Sequence, residues 1–345
     1  MTIVVDRFTG DGAEWDACVR GSGGWTHFHL YDWKSVIERV FGHECLYLAC
    51  RTGAGDLVGV LPLVRVRSRI FGHYLVSMPF VNYGGPLGTS DAVRALATRA
   101  AERATADGVD LLELRSRVDL PLGLPVSHRK ITVMLDLPSG NPEPLWKALS
   151  AKVRSQVRRP QKEGVRVVFG LDQVESFYHV YARHMRDLGT PVQSRRFFET
   201  LAETFADSMW VGCAYLDDRP IACGCGFRWD REFEMTWASS LREHNRIAPN
   251  MLLYWAFMER CVDQQVAAFN FGRCTPGGGT HRFKRQWGSR DEPLWWYQHS
   301  QTKGAGKRAT PSPDDAAFSW GPRLWRYLPV PLANLMGPRI VRSVP

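Results

Sequence analysis

Apolar residues recur along this chain in two rhythms. Alternation with polar residues, or an unbroken run of about four to eight between turn formers, predicts a strand; a return every three to four positions predicts a helix. The first rhythm marks Ile3 to Phe8, Cys45 to Cys50, Leu57 to Val66, Val109 to Leu114 and Lys130 to Leu137. Gly53-Ala54-Gly55-Asp56 joins the second and third of these as a hairpin. Tyr74 to Phe80 runs on in extended form into a breaker cluster, Asn82-Tyr83-Gly84-Gly85-Pro86. The second rhythm marks a helix capped by Asp11 and ending near Gly21, and an Ala-rich one from Asp91 to Asp107. Between them, Tyr31 to Val40 sets Trp33, Val36, Ile37 and Val40 on one helical face.

Ser139-Gly140-Asn141-Pro142 breaks the chain, and a second round follows. A helix is predicted over Leu145 to Lys162, a strand over Val165 to Phe169, and helices over Gln173 to Leu188 and Arg195 to Phe205. Trp210 to Leu216 and Pro220 to Arg228 form a hairpin through Asp217-Asp218, and Glu232 to Ser239 is the next strand. A helix from Pro249 to Gln264 and strands at Ala267 to Phe271 and Leu294 to Gln298 complete the round. Both rounds run strand, two helices, hairpin meander, helix, strand, with no residue-level repeat. That is the order of a GNAT (N-acyltransferase) fold. The expected architecture is therefore α/β with mixed sheets: two tandem GNAT-like domains at 1–140 and 141–300, then a linker at 301–317 and an amphipathic segment at 318–345.

The linker assignment rests on Thr302 to Asp315, rich in Lys, Gly, Pro and Ser with little to bury. The last segment sets Trp320, Leu324, Trp325, Leu328, Leu332, Leu335, Met336 and Ile340 beside Arg323, Arg326, Arg339 and Arg342. It fits either a membrane interface or a helix packed back on the body.

Composition narrows the class. At 345 residues the chain is long for one core and comfortable for two. Apolar and charged fractions of 44% and 23% are those of a soluble globular protein. No run approaches the roughly 18 apolar residues of a membrane span. The segment MTIVVDRFTGDG has no signal-peptide character, so a cytoplasmic protein is expected, in which contact with the inner membrane rests on the tail. A net charge of +9 favours anionic partners: tRNA, nucleotide-linked precursors, CoA or an acidic membrane face. No specific DNA partner is expected. The eight cysteines show neither CxxC pairs nor zinc spacing, so no metal site is expected. They read as small buried thiols, with Cys274 the first suspect if one were catalytic.

The most specific stretch runs from Arg242 to Gly288: a polar loop, an amphipathic helix, a short buried strand, then CTPGGGTHRFKRQWG. With the Trp25 to Trp33 region, Gly42-His43, Val58 to Leu63, Val81 to Gly85 and Lys152 to Arg158, it resembles the FemAB/FemX family. These are tandem GNAT-like transferases that add amino acids to cell-wall precursors. The resemblance spans most of residues 25 to 290 and is strongest to the branch associated with exosortase/PEP-CTERM gene sets. It implies an aminoacyl-tRNA donor and an anionic envelope precursor as acceptor, in peptidoglycan or exopolysaccharide assembly. The coiled-coil arm of many FemAB enzymes is missing here; FemX-type members lack it too. No tightly bound cofactor is expected, only aminoacyl-tRNA or acyl-CoA as co-substrate.

Acyl transfer to an amine needs a held donor, hydrogen-bond donors for the carbonyl oxygen and a neutral amine. Arg246 to Asn250 stands where a CoA-binding GNAT has a Gly-rich pyrophosphate loop at a helix N-terminus. Ala248 and Pro249 replace glycines, which disfavours acetyl-CoA. Asn245 and Asn250 are candidates to hold a substrate carbonyl, or else caps. Lys284, between Phe283 and Trp287, is the leading electrostatic residue for phosphate or oxyanion, or else a solvated lysine. Arg273 follows a buried strand beside the Gly-rich turn and suits a bidentate anion contact or a structural salt bridge. Glu113 is a candidate general base, or the partner of Arg115. Lys152, Arg154 and Arg158 form a basic helical stripe, and Arg282 and Arg285 flank Lys284; both sets suit phosphates or plain solvation. Asn82 and Tyr83 offer an acceptor grip or a turn. Two other functions remain open: an N-acyltransferase using acyl-CoA or acyl carrier protein on an amino sugar, and a non-catalytic scaffold for polysaccharide assembly at the membrane.

Overall fold

The structure, a computed structural model, describes residues 2–300 and 320–345. The expected linker lies almost wholly outside the described residues. Internal contacts define two units, one of residues 1–129, 293–317 and 339–345, the other of 130–292 and 318–338.

The first unit holds a sheet of strands β1 (Ile3–Arg7), β2 (Glu44–Thr52), β3 (Leu57–Ser68), β4 (Gly72–Ser77), β6 (Leu111–Ser116), β15 (Trp295–His299) and β7 (Val126–Ser127), in that spatial order, with β5 (Leu87–Gly88) beside β3. Helix α3 (Ser90–Ala106) lays Ala92, Leu96, Ala97, Ala100 and Ala104 on one face of the sheet, against Leu48, Leu61, Leu63 and Leu75. Alanine at helical spacing lets this helix approach closely. Helices α1 (Gly12–Gly21) and α2 (Trp33–Phe41) bring Trp15, Trp33, Val36 and Ile37 into the core, with the Trp15 ring tilted against Tyr47 of β2 at 4.8 Å.

The second unit repeats this plan. Its sheet runs β14 (Arg290–Pro293), β8 (Ile131–Asp136), β13 (Ala268–Cys274), β12 (Glu232–Ser240), β11 (Arg219–Trp229), β10 (Met209–Leu216), β9 (Arg166–Phe169). Helices α4 (Glu143–Ala148), α5 (Ala151–Lys162) and α8 (Pro249–Asp263) share a core with Val133, Phe233, Met235 and Phe269. Helices α6 (Val174–Leu188) and α7 (Arg195–Thr204) gather Phe177, Tyr181, Phe197 and Phe198 around Trp237. The single helix expected over Leu145 to Lys162 is two, because the Ser150 hydroxyl accepts from Val153 N at 3.3 Å and starts a new helix.

Strand partners differ from chain order at two places. The strand at 131–136, ahead of the break at 139–142, pairs with β13 in the second unit's sheet. The strand at 295–299, last of the second round, pairs with β6 in the first unit's sheet. The first unit's sheet is completed by β15, from outside its main run of sequence, and the second unit's run begins with β8, ahead of the break. In each, a parallel pair holds for three residues and then parts: Tyr74, Leu75 and Val76 opposite Leu111, Leu112 and Glu113, and Glu232, Phe233 and Glu234 opposite Ala268, Phe269 and Asn270.

The tail forms α10 (Trp320–Trp325) and α11 (Val330–Val341). Arg186 donates to the Leu328 carbonyl at 2.7 Å, and Ala333 is buried. No helix among the described residues is long and apolar enough to cross a membrane.

Candidate active site

The second unit concentrates the candidate chemistry where β12 and β13 part. Asn270, the last residue of β13 paired with β12, is fully buried. Its amide nitrogen donates to Glu232 at 2.8 Å and Glu234 at 3.2 Å, and its oxygen accepts from the Thr132 hydroxyl at 2.7 Å and from Gly272 N at 2.8 Å. These bonds hold a bulge in β13 between Asn270 and Arg273. Gly272 has φ +72°, a left-handed conformation that glycine adopts without strain.

Lys284 closes the bulge. It lies on α9 (Gly279–Arg285), is 4% exposed, and donates to the carbonyls of Gly272 at 2.7 Å and Arg273 at 3.1 Å. Burial pulls its pKa from 10.5 down to about 8, against the pull of Cys274 and Glu234. The lysine is thus neither solvated nor free-standing; its ammonium fixes backbone on one edge of the parting. Phe283 and Trp287 pack on Tyr254 of α8 at 5.0 and 6.3 Å, as their i, i+4 spacing leads one to expect. Trp287 Nε1 is buried with no hydrogen-bond partner among the described residues.

Helix α8 begins beside this region. Ala248 takes the left-handed conformation at φ 55°, Pro249 is the first helical residue, and no side chain caps the end. The Ala248 carbonyl accepts from Met251 N at 3.0 Å, and the helix otherwise presents its positive end without a side-chain cap. Helix α5 lies against it, and Arg159, a member of the basic cluster not singled out from the stripe, donates to the Arg246 carbonyl at 3.0 Å. Asn245 is exposed, with its carbonyl accepting from Ala248 N at 3.1 Å; Asn250 is half-buried in the first turn of α8. Neither asparagine side chain caps α8.

The basic stripe divides by environment. Arg154 donates to the carbonyls of Lys147 at 3.2 Å and of Leu149, which ties down the end of α4. Arg158 lies 5.1 Å over the Trp146 ring, and Lys152 is exposed. In α9, Arg282 donates to the Gly277 carbonyl at 2.8 Å, and Arg285 pairs with Asp291 at 3.6 Å and bonds the Ser289 carbonyl. Arg273 is half-buried on β13, opposite Thr132. Cys274 is buried, and burial raises its thiol pKa, so it stays protonated and is a poor nucleophile. A His281–Asp291 pair at 2.9 Å anchors the Gly-rich turn through Gly277 N, a contact the sequence reading passed over. A cavity of about 300 Å³ lies elsewhere in this unit, beside Arg260, ten residues along α8 from Asn250.

The remaining candidates belong to the first unit. Glu113 is fully buried; one oxygen accepts from Arg115 at 2.8 Å, the other from Gln298 at 2.9 Å. Arg115 also lies 4.6 Å over Trp296. The arginine-partner reading of Glu113 is the arrangement seen. Asn82 and Tyr83 are buried in the loop after β4. Arg117 lies over the Tyr83 ring at 5.3 Å, and Gly84 N donates to the Arg115 carbonyl at 3.1 Å. The loop thus bonds to β6 where β4 has parted from it.

The comparisons with known proteins agree with this architecture. A family profile described as an acetyltransferase (GNAT) domain matches residues 148–285. Among curated proteins, none matches the sequence. Among solved structures, FemX is similar, with a TM-score of 0.66 at 14% identity, covering 86% of this chain and 98% of its own. L-PGS from Bacillus licheniformis has a TM-score of 0.56 at 10% identity, with 97% of each chain covered. A tandem GNAT protein from the clavulanic acid biosynthesis pathway has a TM-score of 0.55 at 13% identity, covering 88% of this chain and 100% of its own. By its domain content the protein is an acyltransferase: residues 148–285 form a GNAT domain, within a chain that has the tandem GNAT fold also seen in FemX.

Proposed function

We propose that the protein transfers an activated acyl group, carried as an aminoacyl ester, to an amine of a cell-envelope precursor. The observation that carries this reading is the second unit's combination of a parted β12/β13 pair with an uncapped α8 start. A GNAT site uses the first to receive an acyl carbonyl and the second to attract the anionic part of its donor. Here Ala248 and Pro249 stand in place of a glycine loop, and Pro249 has no N–H to give a pyrophosphate. That favours a bulkier anionic donor, such as the acceptor end of a charged tRNA, over CoA. Lys152 and Arg158, with Arg159 and Lys162, are exposed cations of α5, the helix that packs against α8. The resemblance to FemX, and to a structure named for lysylphosphatidylglycerol synthesis, supports an envelope acceptor.

The chemistry needs no protein nucleophile. The neutral amine attacks the ester carbonyl, the C–N bond forms, the C–O bond breaks, and the amine proton leaves on the departing ribose oxygen. Lys284 acts as a positioning residue: by holding two carbonyls it fixes the β13 edge against which the acyl group lies. Asn250, Asn245 and Arg273 are the groups to test for direct donor contact. Purified full-length protein, supplied with labelled aminoacyl-tRNA or labelled acetyl-CoA and a membrane-precursor extract, is the test. Amide product from the aminoacyl ester alone supports the proposal. Product only from acetyl-CoA replaces it with the second reading, a CoA-dependent N-acyltransferase, which the GNAT domain match favours.

A further inference from the structure

The tail has an inverted surface. A helix lying on a protein body normally turns its large apolar side chains inward. Helix α11 does the opposite: it buries Ala333 and Gly337, one turn apart, and leaves Leu332, Leu335 and Met336 exposed. The close approach is built in, since a Cβ at Gly337 would stand 2.8 Å from Val192 N. Leu332, Leu335, Met336 and Arg339 fall at i, i+3, i+4 and i+7, one outward stripe. The end of α10 adds Leu324, 64% exposed, and the turn after it adds Tyr327, 86% exposed. Of ten large apolar residues exposed among the described residues, five lie between Leu324 and Met336.

Charge selects what this face meets. From Ala316 to Pro345 the sequence has Arg323, Arg326, Arg339 and Arg342 and no Asp or Glu. Residues 302–315, next along the chain, carry no large apolar side chain able to cover such a face.

We propose that α11, with the end of α10 and the turn between them, docks on an anionic lipid bilayer. Leu324, Tyr327, Leu332, Leu335 and Met336 enter the interfacial region, and the arginines pair with lipid phosphates. This is independent of the acyl donor and of the reaction.

The test is flotation of the full-length protein with two vesicle populations. One is phosphatidylcholine alone; the other contains about a third phosphatidylglycerol, enough to give a negative surface potential. Binding to the anionic vesicles, weakened about ten-fold or more by Leu335→Ser/Met336→Ser and again by Arg323→Glu/Arg326→Glu, is the expected result. All four positions are exposed, so unchanged thermal melting should accompany the loss. The proposal is overturned by absent binding, by equal binding to neutral vesicles, or by indifference to the Leu335/Met336 change. It is also overturned if sedimentation shows a dimer that Leu335→Ser dissociates while lipid binding is absent; the face then joins two copies of the chain.

Discussion

The two units share a sheet plan and part their central parallel strands after the same three pairs, yet they secure the parting by opposite means. In the first unit, backbone and a compensated ion pair do it. Gly84 N bonds the Arg115 carbonyl, the Ser77 hydroxyl accepts from Arg115 N, and Glu113 neutralises Arg115 beneath them. Its helix α3 is capped by its own Thr89, whose hydroxyl accepts from Ala92 N at 3.3 Å. In the second unit, a buried ammonium holds the bulge and α8 starts uncapped. A closure made by backbone bonds and a side-chain ion pair is matched within itself. A lysine closure titrates, and an uncapped helix keeps its positive end available. The comparison teaches that one copy of the fold is finished within itself, while the other keeps unspent polar capacity of the kind a substrate needs.

The largest expected effect is in the finished copy. Arg115→Leu strips the charged partner from a carboxylate with no solvent contact, and should lower unfolding free energy by about 3 to 5 kcal/mol in urea titrations. A loss under about 1 kcal/mol would remove the pair from the account of how this unit is closed.

Lys284 is next. Folding lowers its pKa from 10.5 to about 8, so the unfolded chain holds that proton more tightly. Stability should therefore rise with pH between about 8 and 10.5, by about 3 kcal/mol for this group, with the burial penalty in full force below pH 8. Lys284→Met should flatten that part of the profile and lower kcat more than it changes KM. A profile that keeps its slope in the variant would show that another group titrates there.

The first unit has an acid limit. His27 and His29 are buried, and desolvation brings their pKa values down to about 3 and about 4. Both stay neutral in the fold while the unfolded chain protonates below about 6.5, so stability falls as pH drops through that value. Each should cost about 2 kcal/mol at pH 5. Denaturation at pH 7 and pH 5, with and without His29→Gln, measures it; an unchanged pH difference in the variant contradicts the assignment.

The smallest effect tests the open helix end. Lys152→Ala and Arg158→Ala should each weaken an anionic donor by about 1 kcal/mol, roughly five-fold in KM, and reduce the salt dependence of that KM. Matched changes in the first unit, at exposed Arg94 and Arg99 of α3, should do nothing to donor kinetics.

Much of this fold was legible in the residue pattern. The hairpin at 53–56, the Asp11 and Pro249 helix starts, and the two-round order all appear where periodicity and turn chemistry put them. The packing of Phe283 and Trp287 followed from their spacing. The site was legible in composition and less so in role. Lys284 drew notice as a charge between two aromatics, but its bonds to two carbonyls depend on a bulge in a strand about ten residues back. Glu113 looked like a base or a partner, and the choice lay with Gln298, 185 residues away. His27 and His29 carried no signal, because nothing local says that Trp33 and the Gly85 carbonyl will meet their rings.

The sequence by itself determined which segments are strands and helices, since those follow from side-chain period, caps and turns within a few residues. Only the tertiary structure decided which strand completes which sheet. An open edge at β6 or β13 accepts any strand of suitable length and pattern, and β15 and β8 are assigned by where the folded chain returns. The same holds for the charges: whether an ammonium or a carboxylate meets water, a carbonyl or a counter-ion depends on burial and distant partners, which the one-dimensional pattern does not encode.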